Sequence, residues 1–233
     1  MKNINRALQK IFKESFYNFF ILIYGKIKGV ILSKDDLRIE TFVAKFHEKI
    51  NYKVYKIKEG RLYTDRIHDT AIILDNNIIE GPSFQLRPIN NVSANQNIIF
   101  KKGTPRLKKK LNGKILSLLT GGAGNDNYFH WLFDVLPRIK ICEKIFDITK
   151  IDYFLLPNTS RKFQIESLDK LGIPKGKRLS SKYFRHIMTD EIIITQHPYC
   201  IKNDADREIE KIPIWISEWL KSTFLDKKQF NSQ

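Results

Sequence analysis

Apolar positions in the first fifth of the chain recur at the spacing of an α-helix. The pattern covers residues 1–50 and is broken at Gly25 and Gly29. Ser33–Asp36 is a potential cap for a second helix that reaches about Ile50. We therefore predict a helical first section over residues 1–50.

Residues 51–114 follow a different pattern, in which short runs of β-branched and aromatic residues are separated by turn-forming residues. The predicted strands are Tyr52–Ile57, Leu62–Thr64, Thr70–Leu74, Ile78–Glu80 and Ile98–Phe100. This β-rich section ends in Lys101–Lys114, which holds seven basic residues and no acidic ones. We interpret that stretch as a solvated loop, and a surface facing phosphates or a membrane is the alternative.

Residues 115–233 alternate between strands of the buried type and amphipathic helices. The predicted strands are Ile115–Leu119, Ile151–Leu156 and Met188–Thr195, and the predicted helices are Tyr128–Phe146, Ser160–Leu171 and Ile209–Leu225. This order and spacing are typical of right-handed crossovers. The predicted fold class is therefore α/β: a Rossmann-like parallel sheet flanked by helices, preceded by the helical N-terminus and the small β-rich section.

The helix at Tyr128–Phe146 carries polar residues that its packing does not require. At 100° per residue, four of them form one narrow stripe beside the apolar sector: Asn127, His130, Asp134 and Arg138. Pro137 has no N–H to offer the carbonyl of Phe133, so we predict that the helix bends or ends near residues 134–138.

Two interpretations of this stripe remain open on the pattern alone. His130 and Asp134 can be a satisfied pair on a solvated face, or a general base with its partner. The turn before the helix contains Gly121, Gly122 and Gly124, whose backbone N–H groups can bind an anion or sugar hydroxyls.

The net charge of the chain gives only weak evidence about the class of molecule that it binds. The net charge of +16 suits nucleic acid, an anionic membrane or phosphate-bearing ligands, but the chain is also rich in Ile and Asn, as expected from an AT-rich genome. No aromatic residue lies among the lysines of Lys101–Lys114, and no nucleic-acid-binding motif is present, so we expect no nucleic-acid partner. Cys142 and Cys200 lack metal-ligand spacing, and a reducing cytoplasmic compartment is the default.

The N-terminal residues raise a second question about partners. Lys2, Arg6, Lys10 and Lys13 precede the apolar run Phe16–Tyr24, which is too short to span a bilayer. A helix lying in the interface of an anionic membrane is one explanation, and a core helix with a basic outer face is the other.

The stripe also belongs to a longer motif. Asn127–Arg138, NYFHWLFDVLPR, resembles the N-Y-x-H-W-x-x-D-x-L-P-R signature of glycosyltransferase family 61, and Gly60–Ile73 and Glu80–Gln85 are similar to segments of its bacterial branch. The resemblance covers roughly residues 50–225. It implies a GT-B-like arrangement and inverting transfer from a nucleotide-activated sugar in capsular polysaccharide biosynthesis. Nothing visible in the sequence requires a metal, and we expect no cofactor besides the nucleotide-sugar substrate.

The resemblance also assigns candidate roles. It implies that His130 and Asp134 are catalytic, either one being the base that deprotonates the acceptor hydroxyl. The substrate-binding residues that it implies are Gly121, Gly122, Gly124, Asn127, Tyr128, Trp131 and Arg138.

The chain departs from the family in one respect. It has no glycine after Gly176, whereas the family carries a glycine-rich nucleotide loop in a C-terminal half. We therefore expect the N-terminal, acceptor-side half of such an enzyme. The expected partners are a glycan or lipid-linked glycan acceptor, a nucleotide sugar held by a second half, and an anionic membrane surface. The expected location is the cytoplasm or the cytoplasmic face of the inner membrane. The alternative function is a non-catalytic, membrane-peripheral acceptor-binding module.

Overall fold

The structure, a computed structural model, describes residues 2–46, 50–83, 94–120, 124–200 and 208–225. Within them, strands and helices form a mixed α/β fold with two six-stranded sheets. The strands are β1 (Gly29–Ile31), β2 (Ile39–Lys45), β3 (Asn51–Lys58), β4 (Arg61–Thr64), β5 (Thr70–Leu74), β6 (Asn77–Ile79), β7 (Lys109–Lys110), β8 (Lys114–Ser117), β9 (Tyr153–Leu156), β10 (Arg178–Ser180), β11 (His186–Met188) and β12 (Glu191–Thr195).

The helices are mostly short. They are α1 (Lys2–Tyr24), α2 (Ile99–Lys102), α3 (Tyr128–His130), α4 (Pro137–Glu143), α5 (Lys162–Lys170) and α6 (Ile214–Phe224), with a π-helical segment at Trp131–Val135 between α3 and α4. In the part of the chain that the structure describes, every helix is too short or too polar to cross a bilayer.

Both sheets mix parallel and antiparallel pairs. The first sheet has the strand order β1-β6-β5-β4-β11-β7, and the second has the order β10-β9-β8-β12-β3-β2. In the second sheet β10, β9, β8 and β12 are parallel neighbours, and β3 and β2 continue the sheet in antiparallel fashion.

Alternating side chains place the two sheets face to face. Leu62 and Ile72 of the first sheet share an inter-sheet core with Ile115, Ile192 and other residues of the second. The opposite face of the second sheet packs on α4, α5 and α6 in a helix-facing core that includes Leu116. The outer face of the first sheet packs on α2 and on segments between the elements, in a cluster that includes Ile73, Ile78 and Ile99. Each sheet thus buries one face on the other sheet and one on helices or loops.

The predicted Rossmann-like parallel sheet is only partly what forms. The α/β class is confirmed, and the predicted strands near residues 115, 151 and 191 are parallel neighbours. The predicted parallel sheet flanked by helices forms only in part, since β2 and β3 extend the second sheet in antiparallel fashion and the first sheet covers one of its faces. The spacing of strands and helices in residues 115–233 predicts which of these strands are parallel. It does not indicate that strands from earlier in the chain join the same sheet.

The predicted second helix before Ile50 is also wrong. After α1, Ser33–Asp35 forms only one 3₁₀ turn, in which the Asp35 carboxylate accepts a hydrogen bond from the Leu32 N–H. Ile39–Lys45 is the edge strand β2, in which Ile39 and Ala44 face opposite cores. Its β-branched residues at every second position favour a strand, and the hydrogen bonds with β3 stabilise the strand over a helix.

Two smaller predictions need correction. Ile98–Phe100 is not a strand but the start of α2, because Asp69 and Asn97 side chains accept the N–H groups of Ile98 and Ile99. Met188–Thr195 is not one strand, since β11 and β12 lie in different sheets.

Candidate active site

The stripe predicted from the sequence lies at the carboxyl ends of β8 and β12. The chain winds outward from β8 through β9 to β10 and then returns to the other side of β8 with β12. Open parallel sheets bind ligands at such a reversal of strand order. The helical segment that follows β8 brings His130 and Asp134 to this edge.

The local helix geometry aims these two side chains at each other. The Asn127 side chain caps α3 by accepting the His130 N–H at 3.3 Å. In the π-helical segment the Leu136 N–H donates to the Trp131 carbonyl, five residues back, and Pro137 then begins α4. The predicted interruption near residues 134–138 is confirmed, and its cause is the missing N–H of Pro137.

His130 and Asp134 form a close pair with unequal exposure. His130 Nδ1 lies 2.8 Å from Asp134 Oδ2, and the Asp134 side chain is 0% exposed whereas that of His130 is 23% exposed. An ionised carboxylate can only accept, so Nδ1 carries the proton in this bond and Nε2 is the basic nitrogen of the neutral ring.

A second histidine, His197, approaches the same carboxylate oxygen. Its Nε2 is 3.6 Å from Asp134 Oδ2, and its Nδ1 accepts the Cys200 N–H at 3.0 Å. The neutral ring therefore carries its proton on Nε2, which faces Asp134.

The sequence pattern does not indicate His197 as a site residue, because it is far from His130 in sequence. The available signal was its place two residues after β12, since side chains at the carboxyl ends of neighbouring parallel strands meet.

Arg138 fixes the position of the helical segment that carries His130 and Asp134. Its Nε donates to the Asp134 carbonyl at 3.0 Å and its Nη1 to the Thr195 carbonyl at 2.9 Å. These two bonds tie the helical segment after β8 to the end of β12. Arg138 is buried, so this arrangement does not leave its guanidinium open to a phosphate.

Neighbouring histidines compensate the effect of burial on the Asp134 carboxylate. Burial by itself raises the pKa of Asp134, but hydrogen bonds with His130 and His197 hold that pKa below its usual value. The hydrogen bond with Asp134 raises the pKa of His130. Burial lowers the pKa of His197, and it lowers the pKa of Arg138 to about 10, so Arg138 stays charged at neutral pH.

Several buried polar atoms at this edge lack a hydrogen-bond partner within the described residues. They are Thr120 Oγ1, Arg138 Nη2 and Thr195 Oγ1. Buried polar atoms are nearly always paired in native proteins, so such a concentration is typical of a functional site.

The structure describes only part of the glycine-rich turn. Gly121 and Gly122 lie outside the described residues. Gly124 packs tightly, because a Cβ there would come within 2.6 Å of Val135 Cγ2 and 3.2 Å of Pro157 Cγ. The carbonyl of its neighbour Asn125 accepts a hydrogen bond from Gln164 at 2.8 Å. Gly124 thus fixes the turn against the π-helical segment.

The other predicted substrate-binding residues occupy contrasting positions. Tyr128 is exposed, and its ring meets that of Phe163 edge-on at 5.1 Å. Trp131 is fully buried and donates to Ser167 Oγ at 2.9 Å. A ring in that position supports the helix and has no open face for a substrate, and Asn127 serves as the helix cap.

This arrangement can take up a proton at a fixed position. Nε2 is the basic atom of the His130 ring, which is 23% exposed, and the buried Asp134 orients that ring and stabilises its protonated form. Among the described residues no group of three or more His, Cys, Asp or Glu side chains is arranged to hold a metal ion.

Comparison of the chain with protein families, with curated proteins and with solved structures finds no match.

Proposed function

We propose that this protein is a glycosyltransferase of the family 61 type, which transfers a sugar from a nucleotide-sugar donor to a glycan acceptor. The single observation that carries the proposal is the His130–Asp134 pair, held at 2.8 Å inside the motif Asn127–Arg138 with only the histidine reaching the surface. That exposure favours His130 over Asp134 as the base.

The proposed step is an inverting displacement at the anomeric carbon of the donor. The acceptor hydroxyl gives its proton to Nε2 of His130 while its oxygen forms the new bond to the anomeric carbon. The bond between that carbon and the phosphate oxygen breaks, and the nucleotide leaves with the electron pair. Asp134 keeps the imidazole oriented and stabilises the imidazolium that forms.

The architecture offers secondary support. The parallel strands β10, β9, β8 and β12 lie side by side in the second sheet, which is the arrangement that the proposed GT-B-like half requires. The proposed acceptor site lies at the carboxyl ends of β8 and β12, where open α/β sheets place ligands.

The test is an add-back assay. Cells that normally make this protein are deprived of its gene, and their extract supplies acceptors and any further components. Purified protein and radiolabelled nucleoside-diphosphate sugars are added, and sugar incorporated into polymer is counted. We expect wild-type protein to restore incorporation, and His130→Ala and Asp134→Asn to reduce the rate by about 10²–10⁴-fold, the usual contribution of a general base.

Lys162→Ala is the matched control, because Lys162 is exposed on α5, outside the site. It should restore incorporation fully. The proposal fails if wild-type protein restores none with any donor, or if both site variants restore as much as wild type.

A further inference from the structure

The N-terminal helix α1 turns an apolar face away from the protein. Leu22 is 85% exposed and Phe12 72% exposed. We call the following exposed side chains the α1 face: Leu8, Ile11, Phe12, Phe16, Phe19, Leu22 and Ile23. At 100° per residue they form one sector about 140° wide. Contiguous exposed apolar surface of this kind marks an interaction site.

The opposite side of α1 packs against the rest of the protein, so the orientation of the α1 face is fixed. Phe20 is buried, and the Tyr24 hydroxyl accepts the Lys108 N–H at 2.9 Å. A Cβ on Gly103 would come within 2.7 Å of Ile21 Cγ1, which shows how closely the stretch Lys101–Lys114 approaches the helix.

Basic side chains border the α1 face on one side. Ile23 shares the lining of one cavity with the basic residues Lys28 and Lys108 and with the acidic residues Glu59 and Asp75. Phe16 shares the lining of another cavity with side chains from the stretch Lys101–Lys114 and from the segment before β11. We call these basic residues the basic rim: Lys28, Arg106, Lys108, Lys109 and Lys182.

We propose that the α1 face and the basic rim together form a docking surface for an anionic lipid bilayer. The apolar side chains enter the boundary between headgroups and acyl chains, and the rim contacts lipid phosphates. Apolar burial and electrostatic attraction are the two contributions that bind interfacial helices. This inference is independent of the proposed sugar transfer.

Charge favours a membrane over a second copy of this chain as the occupant. A twofold interface through the α1 face would bring two basic rims close together, in a protein of net charge +16. Glu14, an acidic residue of α1, is paired with Lys10 at 3.9 Å. An anionic bilayer supplies the opposite charge along the whole rim.

The test is sedimentation of the full chain with vesicles of phosphatidylcholine alone or with 30% phosphatidylglycerol. We expect binding to the anionic vesicles that weakens as salt rises. Leu22→Asp should reduce the partition coefficient about tenfold or more, since one leucine side chain is no longer buried. Lys108→Gln/Lys109→Gln should reduce it about fivefold per lysine.

Two matched variants act as controls. Leu37 is 99% exposed but lies outside the α1 face, between the 3₁₀ turn and β2, so Leu37→Asp should bind like wild type. Lys162→Gln/Lys175→Gln removes the same charge as the rim variant from other exposed positions. Absence of binding to anionic vesicles overturns the proposal, and so does equal loss in Leu37→Asp and Leu22→Asp. A dimer that Leu22→Asp dissociates, without vesicle binding, would assign the α1 face to a second copy.

Discussion

At the scale of single residues, the site divides one task between an accessible histidine and a buried carboxylate. Asp134 cannot reach a substrate, and its role is to set the orientation and charge of His130. Hydrogen bonds with His130 and His197 keep that carboxylate ionised in a place where burial alone would favour its protonated form.

The titration of His130 tests this division. We expect ring nitrogen or carbon NMR shifts of wild-type protein to report a pKa of His130 above the ordinary value, because Asp134 accepts its Nδ1 proton. Asp134→Asn should bring that pKa to the ordinary value or below, since burial then acts alone. In the wild type the pair's contribution to stability through His130 is full below about pH 6.5 and is lost as pH rises through the folded-state pKa.

Asp36→Asn is the matched control for this titration, because Asp36 pairs with Arg38, away from the site. It should leave the His130 curve unchanged. A His130 curve that is the same in wild type and Asp134→Asn would contradict the role given to the carboxylate.

At the scale of elements, the site depends on an interrupted helix. The π-helical segment Trp131–Val135 is a single turn with five-residue hydrogen bonding, and Gly124 packs against it. The helix, its interruption at Pro137 and the His130–Asp134 pairing could be predicted, because all three depend on residues close in sequence. His197 could not, since its contact depends on which strands become neighbours.

Gly124→Ala tests the contact between the turn and the π-helical segment. The added methyl would meet buried side chains of Val135 and Pro157. We expect a loss of about 1–3 kcal/mol in the free energy of unfolding, as in other overpacked cores. Urea denaturation measures it, and Gly176→Ala, where a Cβ meets nothing within 4 Å, should change little.

A double variant separates crowding from other causes. If the methyl clashes with Val135, Gly124→Ala should cost less in a Val135→Ala background than in the wild type. Equal costs in both backgrounds would show that the crowding at Val135 is not what destabilises the variant.

At the scale of the whole molecule, the two sheets share one core and should unfold together. Between β11 and β12 the chain crosses from one sheet to the other through Thr189, whose hydroxyl donates to the Gly113 carbonyl at 2.6 Å. The layer order could not be read from the sequence, because a buried strand such as Thr70–Leu74 has the same apolar pattern whether a sheet or a helix covers it.

Tryptophan fluorescence can test this coupling. Trp131, Trp215 and Trp219 all belong to the helix-facing core, whereas Leu62 points from the first sheet into the inter-sheet core. We expect Leu62→Ala to cost about 2–5 kcal/mol and to shift the fluorescence and circular-dichroism transitions equally. Leu37→Ala should shift neither, and a fluorescence transition unmoved by Leu62→Ala would show that the layers unfold separately.

The place of β12 has a consequence for how the chain folds. Among the described strands it is the last in sequence, yet it pairs with β3 on one side and β8 on the other. Before β12 pairs with them, β3 and β8 each have an unpaired edge. Arg138 also lacks one of its hydrogen-bond acceptors, the Thr195 carbonyl. When β12 inserts between β3 and β8, it pairs residues that are more than a hundred positions apart in sequence, such as Val54 and Thr195. The chain is therefore expected to fold slowly, and to complete its candidate active site only in the final step.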